Sequence, residues 1–354
     1  MTTAEQQVAP DVSAAGTGYL RVLAVVGGVV ALTVVLALYN LTQGEPDSPI
    51  SAVIESLFRT VPVEGDIQSL LIRDVRLPRV LMALMAGSAL GLAGVLLQDS
   101  LRNPLADPTL LGVAQGAGFI VALSVLYPEV VPSMPLPVLT LIGGTLAGGI
   151  VLYISRNAKN PVRVVLAGAM LSVLFATLST VVIQIAPRNR GIGIIAYFRF
   201  VIGNFTEVRW EDLRMVLPWF VIAVPVTLLT ARVVNLLQLG DEAASGLGLD
   251  PGRARLGLML LAMFLVTPYV AAIGPIGFVA LFAPHVARSL LASTDARRVM
   301  VAAGLIGALV LLIADSAGRL LFFPTEMPAG VFTWIIVGPL ALVLVGRLGK
   351  RGGS

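Results

Sequence analysis

Few residues in this chain of 354 could do chemistry, and their types exclude most catalytic roles. The chain has no cysteine, so thiolate metal sites and disulfides are excluded, and its single histidine, His285, cannot build a multi-histidine metal site. A nucleotide-binding P-loop needs a Gly-Lys pair followed by Ser or Thr, but of the two lysines Lys159 follows Ala158 and Lys350 precedes Arg351. The sequence therefore predicts no catalytic residue, no bound metal or cofactor, and no ATP hydrolysis by this chain.

Arginines at the ends of apolar segments are the first candidates for binding. Arg76 and Arg79, in RLPR, precede a long apolar run, and Arg319 closes the run that contains ADSAGR. A guanidinium offers a planar fork of donors that can hold a carboxylate bidentately, which an ammonium group cannot. Two other roles stay open, namely anchoring to lipid headgroups and, for Arg319, an ion pair with Asp315 four residues earlier.

The segment LGDEAASGLGLDPGRAR, residues 239–255, has the pattern of a short helix inside a loop. Asp241 and Glu242 suit the positive end of a helix dipole, and Gly246 and Gly248 end the helix within two turns. The alanines between them would allow close approach to a groove on a partner, with the carboxylates meeting basic groups at its rim. A plain surface turn is the alternative.

The elements that position these residues are membrane-spanning helices. The chain is 57% hydrophobic and 12% charged with a mean hydropathy of +0.92, which is more apolar surface than one soluble core can bury. Ten spans are predicted, and Gly274 and Pro275 are expected to divide the apolar stretch 256–291 because one helix of that length would be about 54 Å long. Eight spans lie near residues 19–41, 80–98, 110–126, 136–154, 164–186, 216–234, 299–319 and 330–346, and the stretch 256–291 holds the other two.

The distribution of basic residues predicts that both termini are cytoplasmic. The links ISRNAKNPVR and STDARR would then lie inside, and the link YPEVVPSMP, which has no basic residue, would lie outside. Residues 1–18 and 347–354 are predicted to be cytoplasmic tails, and residues 19–346 one transmembrane domain. The polar segments 42–79 and 187–213 are expected to form short helices on the external surface. Ala83, Gly87 and Gly91 recur every fourth residue on the second span, which predicts a central scaffold helix.

Several long motifs resemble one protein family. The chain is similar to the FecCD-type permease subunits of ATP-binding-cassette (ABC) importers for ferric siderophores, haem and vitamin B12. The resemblance covers residues 76–339 in the family's order. The matching runs are RLPRVLMALMAGSALGLAGVLLQDSLRNPLADPTLLGVAQGAG, LGDEAASGLGL, GPIGFVALFAPHVAR, and ADSAGR followed by EMPAGVFTWIIVGP. The resemblance implies an all-α, polytopic membrane protein of about ten transmembrane helices with the architecture of a type II ABC importer permease.

The resemblance also implies partners and site residues. In the family, two permease subunits surround a central path in the bacterial cytoplasmic membrane. Two ATPase subunits that carry ATP and Mg²⁺ lie below them, and an extracytoplasmic binding protein lies above. By resemblance, Arg76, Arg79 and Arg319 would dock the binding protein, and Asn103 and Leu105 would belong to the cytoplasmic gate. The helix seated on the ATPase would comprise Leu239, Gly240, Asp241, Glu242, Ala243, Ala244, Gly246, Leu247 and Gly248.

The sequence leaves alternatives for the gate residues, the class of function and the cargo. Where some relatives carry small hydroxyl residues in the gate, this chain has Pro161 and Val162. An ion-coupled secondary transporter would need ionisable residues deep in its spans, and the predicted span centres have essentially none. A membrane scaffold would not explain a short cytoplasmic helix together with external arginines. The cargo is expected to be a ferric siderophore, with haem or a corrinoid open, and the second permease subunit would be a copy or a related chain. No nucleic acid partner is expected.

Overall fold

The structure is a computed structural model that describes residues 12–44, 47–58, 66–155, 161–323 and 325–340. Every regular element in those ranges is helical, which confirms the all-α class. Helix α1 begins at Val12 rather than Tyr19, and residues 1–11 and 341–354 of the predicted tails and last span lie outside the described ranges. The helices are α1 (Val12–Thr42), α2 (Ile50–Phe58), α3 (Ile67–Leu70), α4 (Leu77–Ser100), α5 (Val113–Leu126), α6 (Leu136–Ser155), α7 (Pro161–Gln184), α8 (Gly191–Ile202), α9 (Trp210–Leu229), α10 (Ala231–Gln238), α11 (Asp241–Gly246), α12 (Pro251–Ile273), α13 (Val279–Leu291), α14 (Ala296–Leu320) and α15 (Ala329–Phe332).

Seven helical segments in the described ranges are long and apolar enough to cross a membrane. They are the continuous segment 67–100, which contains α3 and α4, and helices α1, α6, α7, α9, α12 and α14. The other three predicted spans are shorter apolar helices, at 113–126, 279–291 and 329–340. Helix α5, with 14 residues, is about 21 Å long, less than the roughly 30 Å of a bilayer core. A left-handed glycine, Gly112 with φ 73°, shortens α5 because the chain turns there before the helix begins.

Two predicted boundaries are wrong. The sixth span is α9, Trp210–Leu229, and a separate helix α10 follows the break at Thr230, whose hydroxyl donates to the Thr227 carbonyl at 2.6 Å. The segment before the second span is not a surface segment up to Arg79. Helix α3 continues through a π-helical stretch, Leu71–Arg76, into α4, so residues 67–100 form one continuous rod. Arg76 and Arg79 therefore project from a helix that packs inside the bundle.

Helix α4 is the centre of the bundle, as its small-residue stripe predicted. It is largely buried and packs against α9, α12, α13 and α14. The contact with α14 is backbone against backbone, because a Cβ on Gly87 would overlap the carbonyl oxygen of Gly307 and one on Gly91 that of Ala303. These glycines are required by close packing.

Replacing Gly91 with leucine is expected to destabilise the bundle by at least about 1–3 kcal/mol, because the added atoms must separate α4 from α14. Thermal unfolding of the purified protein in detergent measures the loss. Gly149→Leu on α6 is the matched control, since a Cβ there meets nothing within 4 Å. Equal melting temperatures for the two variants would show that the α4–α14 contact is not tight.

The break between α12 and α13 lies where Gly274 and Pro275 predicted it. Helix α12 ends at Ile273 and α13 begins at Val279. Gly274 has φ 77°, and a Cβ there would overlap the carbonyl oxygen of Phe200 at the end of α8. The amide of Asn204 donates to the Ile273 carbonyl at 2.8 Å, so the segment after α8 ties to the end of α12.

Candidate functional site

The predicted docking arginines lie in a buried polar cluster at one end of α4, called here the Arg79 end. The Nη2 of Arg79 donates to Asp315 Oδ1 at 2.9 Å and its Nε donates to Asp315 Oδ2 at 3.0 Å. The Nη1 of Arg79 donates to Glu326 Oε2 at 2.8 Å. Asp315 therefore pairs with Arg79 across the α4–α14 contact, and the local Asp315–Arg319 ion pair considered from the sequence does not form.

The other two arginines donate to backbone carbonyls at the end of α1 and just after it. Arg76 Nη1 donates to the Leu41 carbonyl at 2.9 Å, and Arg319 Nη2 donates to the Gln43 carbonyl at 2.8 Å. Gly44 has φ 134°, and a Cβ there would lie 3.0 Å from Arg76 Nη2, so only glycine fits comfortably against these guanidinium groups.

The three predicted docking arginines are buried in the single chain. Their relative exposures are 4% for Arg76, 6% for Arg79 and 8% for Arg319. Each side chain is occupied by acceptors of this chain, because a buried cation that lacks partners is costly. Docking through them stays a prediction.

Glu326 is the residue of this cluster that the sequence analysis missed. It lies in the turn between α14 and α15, and it also accepts a hydrogen bond from the Thr206 hydroxyl at 3.3 Å. Burial alone would raise the pKa of its carboxyl, but the charge and hydrogen bond of Arg79 outweigh burial and hold the pKa below its usual range. Its side chain is 39% exposed, so it is the part of the cluster most accessible from outside. In the sequence, Glu326 could have been noticed as the lone carboxylate of the segment FFPTEMPAG.

The predicted short helix is α11, at the opposite end of α4, called here the Asp241 end. Gly240, with φ 115°, precedes α11, and Gly248, with φ 84°, follows it. Ala244 is fully buried against the bundle. Glu242, Ala243, Ser245, Gly246 and Leu247 are exposed, as is Leu239 before the helix. The helix thus presents one small, partly apolar face outward.

The two carboxylates of α11 have different surroundings. Asp241 accepts hydrogen bonds from Arg102, which follows α4, and from Arg255, which lies on α12. The hydrogen bonds from Arg255 hold the pKa of the Asp241 carboxyl below its usual range. Asp241 is therefore paired with arginines of this chain while its side chain stays 47% exposed, and contact of both carboxylates with a partner stays a prediction. The sequence analysis gave Arg102 and Arg255 no role, and the structure shows them as the partners of Asp241.

The predicted gate residues lie in the turn directly after α4. The Leu105 amide donates to Asn103 Oδ1 at 3.0 Å, and the Ala106 amide donates to the Asn103 carbonyl at 3.0 Å. Asn103 thus holds the turn, and the side chain of Leu105 projects outward. The side chains of Pro161 and Val162 lie outside the described part of the chain.

A cavity of about 440 Å³ lies among α5, α7, α8, α13 and the π-helical stretch Thr333–Val337 that continues α15. Its lining comes from both ends of the bundle, with Asp107 at the Asp241 end and Pro275 at the Arg79 end. The lining is more apolar than polar; it includes the polar side chains of Gln115, Ser179 and Tyr197, and its described part includes neither lysine nor arginine. Two of its aromatic residues, Phe278 and Trp334, make an edge-to-face contact with ring centroids 5.0 Å apart. Such a cavity suits a large, mostly apolar ligand.

The architecture is that of a transport permease. It superposes on a metal-chelate type ABC transporter solved in an inward-facing conformation, with a TM-score of 0.79 and 29% identity over 91% of this chain and 98% of that chain. The chain belongs to the FecCD transport family, whose model matches residues 32–347.

Two curated relatives show the range of the family. One is the Fe(3+) dicitrate transport system permease protein FecC of Escherichia coli, 37% identical over 79% of this chain and 84% of its own length. Another is the hemin transport system permease protein HmuU of Yersinia pestis, 36% identical over 77% of this chain and 82% of its own length. Similar permeases therefore serve chemically different iron compounds.

Proposed function

We propose that this chain is the permease subunit of an ABC importer for an iron-siderophore complex, and that both of its termini are cytoplasmic. The observation that carries the proposal is the fold, which matches a metal-chelate type ABC transporter over nearly its whole length. The large cavity, whose described lining has no lysine or arginine, supports the proposal that the cargo is a bulky chelate shielded from water. The hemin permease among the relatives keeps haem as a second candidate cargo.

The assembly includes a second permease subunit, two ATPase subunits that hold ATP and Mg²⁺, and an extracytoplasmic binding protein. The sequence lacks a P-loop, so ATP hydrolysis occurs on the separate ATPase chain. The exposed face of α11 suits the ATPase, because its small residues allow close approach. The binding protein docks at the Arg79 end. The contacts of Arg79 imply that a docking carboxylate would displace Glu326, the more exposed of its two partners.

Reconstitution in liposomes with the candidate ATPase and binding protein tests the function. Uptake of a ferric siderophore should require ATP, the ATPase and the binding protein together. Uptake driven by an ion gradient without ATP would instead identify a secondary transporter. Parallel assays with hemin separate the two cargo candidates.

Shortening Leu105 to alanine is expected to increase leak through the closed path by about tenfold, because a loss of about 1.4 kcal/mol of packing shifts an equilibrium tenfold. Release of a preloaded chelate from proteoliposomes without ATP measures the leak. Leu290→Ala is the matched control, since Leu290 lies at the same end of the bundle with 43% exposure against 45% for Leu105. Equal leak in the two variants would place the constriction elsewhere.

A further inference from the structure

The predicted coupling helix and the predicted gate turn lie far apart in sequence but are joined in the structure through Asp241. We propose that the Asp241–Arg102 contact transmits movement of α11 to Leu105, which makes Asp241 and Arg102 positioning residues for the gate. The inference rests on the proposed function, because it assumes that an ATPase moves α11.

The carboxylate of Asp241 holds two cations from different parts of the chain. Its Oδ1 accepts from Arg102 Nη2 at 2.6 Å and from Arg255 Nη2 at 2.5 Å, and its Oδ2 accepts from Arg255 Nη1 at 2.9 Å. The Nε of Arg255 donates to the Ser100 carbonyl at 2.9 Å. Helix α11 is therefore tied both to the start of α12 and to the last residues of α4.

Arg102 is held in a strained conformation. Its φ of 47° lies in the left-handed region, which a residue with a Cβ adopts only where the surroundings enforce it. Its Nε donates to the Leu237 carbonyl at 3.0 Å, at the end of α10. The side chain is thus fixed at two points, by α10 and by Asp241. A displacement of α11 that retains these bonds would pull on the Arg102 backbone through its side chain.

The turn that contains Leu105 is held by hydrogen bonds that would make it move together with Arg102. The amide of Asn103 donates to the Gln98 carbonyl at 3.0 Å, and the Ala106 amide donates to the Asn103 carbonyl at 3.0 Å. The Asn103 side chain accepts from the Leu105 amide at 3.0 Å. These bonds close a compact turn directly beside Arg102. Leu105 therefore moves with Arg102 as part of one unit.

The exposure of the contact makes the proposal testable without unfolding the protein. The side chains of Arg102 and Asp241 are 42% and 47% exposed, and ion pairs at such positions contribute little to stability. Arg102→Ala removes the link to the gate and leaves the hydrogen bonds between Asp241 and Arg255 in place. The variant should therefore fold and still bind the ATPase.

The experiment uses the absence of native cysteines. Leu105→Cys introduces the single thiol of this chain, and its rate of maleimide labelling is measured in the complete transporter in nanodiscs, with and without ATP. We expect ATP to change the rate by roughly fivefold or more, the range typical of coupled sites, and Arg102→Ala to bring the ratio to within about twofold of one. ATP hydrolysis by the same complexes should continue. Arg102→Lys, which keeps the charge but lacks the fork of donors, should restore part of the response.

Arg253→Ala is the matched control. Arg253 lies on the same helix as Arg255 but is exposed and contacts Asp250 instead of Asp241, so its removal should leave the labelling response unchanged. A full response in Arg102→Ala would overturn the proposal. A transporter that takes up cargo with ATP but shows no ATP-dependent labelling would also overturn it. Absence of ATP-driven uptake in the unaltered complex would instead contradict the proposed function.

Discussion

Arg79→Ala is expected to destabilise the protein by about 3–5 kcal/mol, because it leaves the carboxylate of Asp315 buried without its cation. Asp315 is 1% exposed, so bulk water does not solvate its carboxylate in the native structure. Chemical unfolding in detergent, followed by the fluorescence of the three tryptophans, measures the loss. Asn40 and Ser316 hydrogen-bond each other nearby and cannot neutralise the charge.

The control removes both charges. Arg79→Met combined with Asp315→Leu should recover most of the lost stability, since apolar groups of similar size can replace a buried ion pair. If the double variant were as unstable as Arg79→Ala, the pairing would not be what Arg79 contributes. Provided that it folds, the same double variant tests docking. A binding protein that associates with it at the normal rate and salt dependence would show that Arg79 is structural only.

The second large effect is expected at the exposed face of α11. Leu247→Asp combined with Glu242→Arg should reduce ATP-dependent uptake to background, because burying a new carboxylate in an interface and reversing a charge at its rim both oppose association. The loss in ATPase affinity should be about 30-fold or more, which corresponds to about 2 kcal/mol. Co-purification with the ATPase and vesicle uptake are the two measurements.

Leu321→Asp is the matched control for this variant. Leu321 is 67% exposed and Leu247 is 63% exposed, but Leu321 lies at the Arg79 end. It should leave ATPase binding unchanged. An α11 variant that still copurifies with the ATPase and transports normally would show that the ATPase binds elsewhere. Melting temperatures close to that of the unaltered protein would confirm that both variants fold.

The fold was predictable where local patterns determine it. Apolar runs of sufficient length predicted the crossing helices, and Gly274 with Pro275 predicted the break between α12 and α13, because both signals act within a few residues. The boundary at Thr230 was missed because hydropathy continues across it, whereas a side-chain hydrogen bond to the preceding turn marks it. The residue pattern also predicted α11, which ends at Gly246 within two turns as expected.

The pairing within the sites was not predictable in the same way. Asp315 was expected near Arg319 because residues four apart face each other on a helix. The structure pairs it with Arg79, which is separated from it by 236 residues in sequence. Asp241 likewise meets Arg102 across 139 residues. Such partners depend on how helices pack, and the pattern of a single sequence gives no signal for that.

The distance in sequence between Arg79 and Asp315 has a consequence for the synthesis of the chain. Ribosomes add about 5–20 residues per second, so Arg79 enters the membrane on the order of 10 to 50 seconds before its counter-ion exists. During that interval its side chain must reach the lipid headgroups or water, since an unpaired cation is costly in the bilayer core. Arg79 can therefore reach its buried, paired state only after α14 has been inserted, and the contact between α4 and α14 is among the last in the bundle to form.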